Sequence, residues 1–440
     1  MLLIINKGDE LYMNYDAISL FSSSGIGDLG LKENGIKTVV ACELLEDRAK
    51  LFENNFPECK CFVGDIWDLK EEIINYYQSK HKKNPFLIIA TPPCQGMSSN
   101  GMGKMLNDYR KGLRPKQDPR NRLIIPAIEI IKTLKPEWVI LENVPTMTNT
   151  LIYDEENNLI NIIDFIKKEL GNDYVGEPEV IDVADYGVPQ HRKRLLTVLG
   201  KKENIEKEKY FEIHKSFIPA PTNGKEDTLI TKHWVTLREA IGNLPKLRAE
   251  KNKNQDKSFN TLHKVPLLDQ KKLFWIDHTP EGETAFNNQC INPKCMYKNN
   301  PIHGTQRDTD GINKASNDTP LYCEKCGELL PRPYVEDKNG KLRIMKGFTS
   351  AYKRMNWDEP ASTLTQNFQY ACSDNKIHPD QSRVLSLYEG LKLQTIADYN
   401  YSFEINGKKS SDSLIRDTIG ESVPPRVIDL ICKNIIKITK

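Results

Sequence analysis

The sequence predicts an α/β protein: a doubly wound sheet domain interrupted by a smaller, irregular domain. Three observations predict it. Over about the first 200 residues short apolar runs alternate with helix-like stretches, the rhythm of a sheet whose ligands bind at the carboxyl ends of its strands. The first run empties into a small-residue loop, Ser22-Ser-Ser-Gly-Ile-Gly27. Beyond about residue 205 the rhythm breaks, and four of the ten cysteines gather there in two close pairs.

Taken in order, Ala17-Ile-Ser-Leu-Phe21 reads as the first strand and Thr38-Val-Val-Ala-Cys42 as the second. Phe86-Leu-Ile-Ile-Ala90, Trp138-Val-Ile-Leu141 and Leu195-Leu-Thr-Val-Leu199 continue the series, with helices expected over Arg122–Leu134 and Leu159–Leu170. From Lys201 to Asn375 the chain is rich in Lys, Asn, Asp and Pro, with few periodic segments. Helical patterning returns at Ser382–Leu393 and Val427–Ile436. The expected domains are therefore 1–204, 205–375 and a return segment, 376–440, that completes the first.

A length of 440 residues suits two or three domains, and 38% hydrophobic residues suffice for a core. A net charge of +2 with 28% charged residues neither demands nor excludes a nucleic-acid partner. The first residues, Met1–Glu10, are apolar too briefly for a signal peptide, and no run approaches the roughly 18 residues of a membrane span. A soluble cytoplasmic monomer is expected.

Four segments carry chemistry. Thr91-Pro-Pro-Cys-Gln-Gly-Met-Ser98 puts Cys94 on a stiffened turn after a strand, a good place for a nucleophile and equally for a buried structural cysteine. Glu142, in Leu141-Glu-Asn-Val-Pro145, is a functional acid or a helix cap. Arg192 and Arg194, in Tyr186-Gly-Val-Pro-Gln-His-Arg-Lys-Arg194, are anion contacts or a solvated basic face. The loop after Phe21 suits a ligand that approaches the backbone, a nicotinamide nucleotide among them.

Together, and in this order, these segments and Gly420-Glu-Ser-Val-Pro-Pro425 resemble the DNA cytosine-5 methyltransferases. The resemblance implies a Rossmann-like S-adenosylmethionine-dependent methyltransferase domain. It places Cys94 on the catalytic cysteine, Glu142 on the residue that holds the ring nitrogen of cytosine, and Gln190, Arg192 and Arg194 on the arginine motif. Carbon 5 of cytosine is too weak a nucleophile unaided, and a thiolate added to carbon 6 makes it enamine-like. A base must then remove the carbon-5 proton, and the sequence does not identify it. The resemblance implies a cofactor site formed by Phe21, Ser22, Gly25, Gly27, Glu43, Asp65, Ile66, Pro92, Leu123, Glu421 and Ser422. Glu43 would accept from ribose hydroxyls and Asp65 would hold the adenine amino group. Ser23 and Ile26 stand where glycines are common, and Glu421 where Asn is usual.

Further segments fit the same picture. Gly96–Lys116 is Gly-hinged and basic, suited to close over phosphates while a base is extruded. Gln117-Asp-Pro-Arg-Asn-Arg-Leu123 resembles the segment after that loop, and Arg383–Gln394 the link from recognition to catalytic domain. Cys290-x4-Cys295 and Cys323-x2-Cys326, 27 residues apart, predict a structural zinc ribbon over 290–326 that supports base readout. Arg332, Arg343, Lys346, Lys353 and Arg354 are candidate phosphate or base contacts. The expected substrate is double-stranded DNA, with a cognate restriction endonuclease as functional partner. Three alternatives stand beside this: a tRNA cytosine-5 methyltransferase, a DNA-binding module without catalysis, and a nicotinamide oxidoreductase.

Overall fold

A computed structural model of the chain describes residues 15–93, 118–205, 215–307, 313–315, 319–345 and 349–439. Two compact units are present: residues 1–181, 194–219 and 428–440 form one, residues 182–193 and 220–427 the other. The expected division at 204 and 376 is drawn differently. Most of the return segment groups with the irregular unit, and so does the arch 182–193 that carries Gln190 and Arg192.

The first unit is built on one sheet. Its strands β1 (Tyr15–Leu20), β2 (Ile36–Glu43), β3 (Lys60–Val63), β4 (Leu87–Ala90) and β5 (Trp138–Asn143) run parallel in the order 3-2-1-4-5. Near-continuous Val/Ile/Leu runs explain this, since strands of a parallel sheet are buried on both faces. A longer strand, Lys193–Lys201, adds antiparallel to β5, with Leu196 opposite Glu142. Each predicted strand is present within two residues of its expected limits. The strand 60–63 carries one short apolar patch and gave no signal.

The helix Ile124–Leu134 buries Ile124, Ile125, Ile128, Ile130, Ile131 and Leu134 in the core, each contributing roughly 1.5–3 kcal/mol. It begins later than predicted because Pro119–Leu123 forms a 3-10 turn capped by Asp118. The expected helix at 159 begins at Ile162, since Leu159–Asn161 pairs as a strand with Leu151–Tyr153. No described helix is long and apolar enough to cross a membrane.

The second unit has little regular structure, so its buried carbonyls need other partners. Arginines supply them. Arg354 donates to the carbonyls of Thr279, Ile276, His378 and Gln381. Arg332 donates to those of Asn288, Pro301 and Pro320. Both are buried, at 4% and 0% exposure, so neither is the DNA contact expected from the sequence. Arg343 is exposed and Lys353 half-buried, while Lys346 lies outside the described residues. The helix Leu387–Leu393 is closed by a capping box between Ser386 and Glu389, and Glu389 binds Arg383 through two 2.7 Å bonds.

Candidate active site and cysteine cluster

The carboxyl ends of β1, β2, β4 and β5 are tied to one another, and these ties shape the site. Phe21 and Ser23 adopt left-handed backbone, φ 59° and 48°, at a cost of about 1–2 kcal/mol each. The turn is held nonetheless. Ser22 NH donates to the Cys42 carbonyl at 3.1 Å, Gly25 NH to the Ser22 carbonyl at 3.0 Å, and Thr91 Oγ1 to the Phe21 carbonyl at 3.1 Å. Ser23, standing where a glycine was expected, takes the left-handed conformation itself. Its NH donates to Glu43 Oε2 at 2.8 Å. Gly25 is obligatory, because a Cβ there would lie 2.6 Å from the Phe56 ring at φ +79°. At Gly27 a Cβ would meet nothing within 4 Å, so that side of the turn is open to a ligand.

The other proposed cofactor residues fall around the same strand ends. Glu43 closes β2, and its second oxygen accepts from Leu45 NH at 2.9 Å, so its first task is to fix the loops. Asp65 is exposed and caps the helix Ile66–Lys80 through Trp67 NH. Ile66 is 3% exposed and belongs to the core, which leaves its main chain as the part able to meet a ligand. Leu123 is half-buried against that core, and Pro92 is buried.

Cys94 and the loop 96–116 lie outside the described residues. The turn that leads to Cys94 is described, and it reveals a residue the sequence did not single out. Asn143, 2% exposed, donates from Nδ2 to the Pro92 carbonyl at 3.0 Å, and its Oδ1 accepts from Val144 NH at 2.8 Å. One amide thus ties the end of β5 to the turn before the cysteine. Its place beside Glu142 was the available signal.

Arg194 and Glu142 come together. The period of two along the 193–201 strand turns Arg194 to the face that bears Glu142, and Arg194 Nε lies 2.8 Å from Glu142 Oε1. Their side chains are only 13% and 10% exposed, so the pair is ordered and little screened.

Gln190 and Arg192 are placed otherwise. Gln190 is fully buried, donating to the Leu393 carbonyl at 2.8 Å and accepting from Leu364 NH at 3.1 Å. Arg192 donates to the carbonyls of Leu364, Gly420 and Glu421 at 2.6–3.2 Å. Both brace the arch. Glu421 accepts from the Gln366 amide, and Ser422 ends the helix Asp412–Glu421 with its carbonyl held by Gln394 at 2.6 Å. Gly420 has no room for a side chain, since a Cβ would sit 2.3 Å from Gln366 N.

In the second unit the four expected cysteines converge. The sulfurs of Cys290, Cys295, Cys323 and Cys326 all lie within 4.8 Å of one another. Cys290 and Cys326 are 3.6 Å apart, Cys295 and Cys323 3.9 Å. Disulfides would need about 2.05 Å. A tetrahedral ion with metal–sulfur bonds of about 2.3 Å has sulfur–sulfur edges of about 3.8 Å, which these distances fit. Gly327, at φ 73°, turns its NH to the Cys323 carbonyl at 2.8 Å. Burial raises the Cys323 pKa, but the NH groups of Cys326 and Lys325, together with the Cys326 and Cys290 thiols, outweigh it and bring the thiol down to about 6.

A sequence model of the C-5 cytosine-specific DNA methylases matches residues 15–437. The type II methyltransferase M1.HgaI of Avibacterium volantium is 31% identical over 432 residues, covering 96% of this chain and 98% of the relative. M1.HphI of Haemophilus parahaemolyticus is 23% identical over 426 residues, covering 97% and 87%. Among solved structures, the fold is shared with the Dnmt2 methyltransferase of S. pombe, at TM-score 0.51 and 11% identity, covering 96% of this chain and 99% of that one.

Proposed function

We propose, since this chain belongs to the C-5 cytosine-specific DNA methylase family, that it moves a methyl group from S-adenosylmethionine to carbon 5 of a cytosine flipped out of duplex DNA. One observation carries the reading: the Arg194–Glu142 ion pair sits at the strand ends where Asn143 also holds the turn leading to Cys94. An anchored acid, an anchored guanidinium and a tethered nucleophile turn are what this chemistry needs.

In the proposed mechanism the Cys94 thiolate adds to carbon 6, and the electron pair released into the ring makes carbon 5 nucleophilic. Glu142 protonates or hydrogen-bonds nitrogen 3, Arg194 contacts oxygen 2, and loss of the carbon-5 proton to a base then expels the thiolate. Arg192 and Gln190 act as positioning residues. Bound S-adenosylmethionine supplies the electrophilic methyl group. The open side of Gly27 and the exposed Asp65 fit such a ligand, and Phe21, Ser22, Gly25, Glu43, Ile66, Pro92 and Leu123 complete its proposed site.

We assign structural Zn²⁺ to the cysteine cluster, on the tetrahedral fit of its sulfur distances, and DNA readout to the irregular unit. The relatives are named type II methyltransferases, which supports protection of DNA against a restriction endonuclease of the same specificity. The protein is proposed to act as a monomer. Incubation with tritiated S-adenosylmethionine and either duplex DNA or tRNA tests the substrate. Label in DNA is expected, and label confined to tRNA overturns the proposal.

A further inference from the structure

The arch 182–193 holds a pair of titratable side chains that the mechanism leaves unused. His191 Nδ1 lies 3.0 Å from Asp182 Oδ2, while Asp182 Oδ1 accepts from the main-chain NH groups of Arg192 at 2.9 Å and Ala184 at 3.2 Å. The His191 main chain is held on both sides, its NH by the Ala361 carbonyl at 2.8 Å and its carbonyl by Thr363 Oγ1 at 2.6 Å. The imidazole meets the Trp234 ring edge to face at 4.7 Å, and the Trp234 indole NH donates to Asp185 Oδ1 at 2.8 Å. One imidazole therefore stands between the carboxylate that fixes the backbone at Arg192 and a ring anchored to the same arch.

We propose that the His191–Asp182 pair is a latch that positions the arginine motif, tight while His191 carries its proton and loosened on losing it, so that methyl transfer has an alkaline limit. This rests on the methyltransferase reading above. The charged groups that act most on His191 are Asp182 and Asp185 from the arch and Glu359 from the segment packed against it. The hydrogen bond to Asp182 is the largest influence, and with these charges it raises the imidazole pKa above its ordinary value despite partial burial. A charge-assisted bond is roughly twice as strong as a neutral one, so deprotonation weakens the latch without abolishing it. For a raised histidine pKa the stabilisation is complete below about pH 6.5 and fades as pH rises through the raised value. Thiolate formation at Cys94 acts in the opposite direction, and the two together give a bell-shaped rate profile.

The test compares wild type, His191→Gln and His191→Arg from about pH 6 to pH 9, reading Tm and single-turnover methyl transfer. In His191→Gln, Tm and rate should fall at the acid end, the rate by roughly threefold to tenfold. The difference should shrink toward about pH 9, with KM for S-adenosylmethionine unchanged. His191→Arg, permanently charged, should extend activity to higher pH. A Tm offset that is constant with pH, or no offset, overturns the latch. Because Tm is read without substrate, a pH-dependent offset in a wild type that transfers no methyl group would sink the methyltransferase reading and leave the latch standing.

Discussion

Replacing Asn143 by Ala should damage both stability and methyl transfer, and the structure allows the size to be worked out. The side chain is 2% exposed and makes two hydrogen bonds, to the Pro92 carbonyl and from Val144 NH. Each is worth about 1 kcal/mol net, and a buried group left unsatisfied costs a further 1–3 kcal/mol, giving a loss of about 3–5 kcal/mol. In a protein of this size that lowers Tm by roughly 3–5 °C. Pro92 lies two residues before Cys94, so the turn carrying the nucleophile loses its tie to β5. A displacement of about 1 Å there would slow methyl transfer by roughly 100-fold. Single-turnover transfer of tritiated methyl groups and differential scanning calorimetry measure the two effects. Asn143→Asp should also be impaired, because its carboxylate keeps the bond from Val144 NH but repels the Pro92 carbonyl. A rate within about threefold of wild type, with Tm unchanged, would refute the reasoning.

Arg194→Met removes the Arg194–Glu142 ion pair and should cost about 100- to 1,000-fold in kcat while S-adenosylmethionine affinity by calorimetry holds. If the cluster holds the proposed Zn²⁺, Cys323→Ser should release it, read by elemental analysis, and lower duplex affinity while leaving S-adenosylmethionine binding intact. Glu389→Gln leaves the Arg383 guanidinium buried against a neutral amide and should destabilise by about 3–5 kcal/mol in urea titration. Arg383 holds the Glu389 carboxyl down to about 2 against its burial, so this contribution is complete above its ordinary pKa and should vanish as pH falls toward 2. Asp28 is the opposite case: burial lifts its carboxyl to about 7 against bonds from Thr38 and Ser19. The folded state then holds a proton that the unfolded chain gives up, and stability declines as pH climbs from about 4 to 7. Asp28→Asn should raise Tm at pH 8 and leave it unchanged near pH 4, as thermal melts will show.

Much of the first unit was legible because its strands are apolar runs punctuated by small residues, a local signal. The site was legible where position in a strand decides geometry, as for Glu142 at the end of β5 and Arg194 two residues into its antiparallel partner. The convergence of the four cysteines was legible from spacing, because two close pairs of thiols suit a shared tetrahedral arrangement. Roles set by tertiary contact were not legible. Arg332 and Arg354 look like any surface arginine in sequence, yet each satisfies the carbonyls of an irregular fold. Arg192 carries the same motif as Arg194 but is spent on three carbonyls. Asn143 depends on a partner 51 residues away, which no local pattern announces.

Bisulfite sequencing of plasmid DNA from cells that express this chain, with Cys94→Ser as control, tests the central claim most directly. The account predicts methylcytosine at one short recurring sequence, absent in the variant. Unmethylated DNA from cells holding the folded wild-type protein, or the same pattern in the variant, would contradict it.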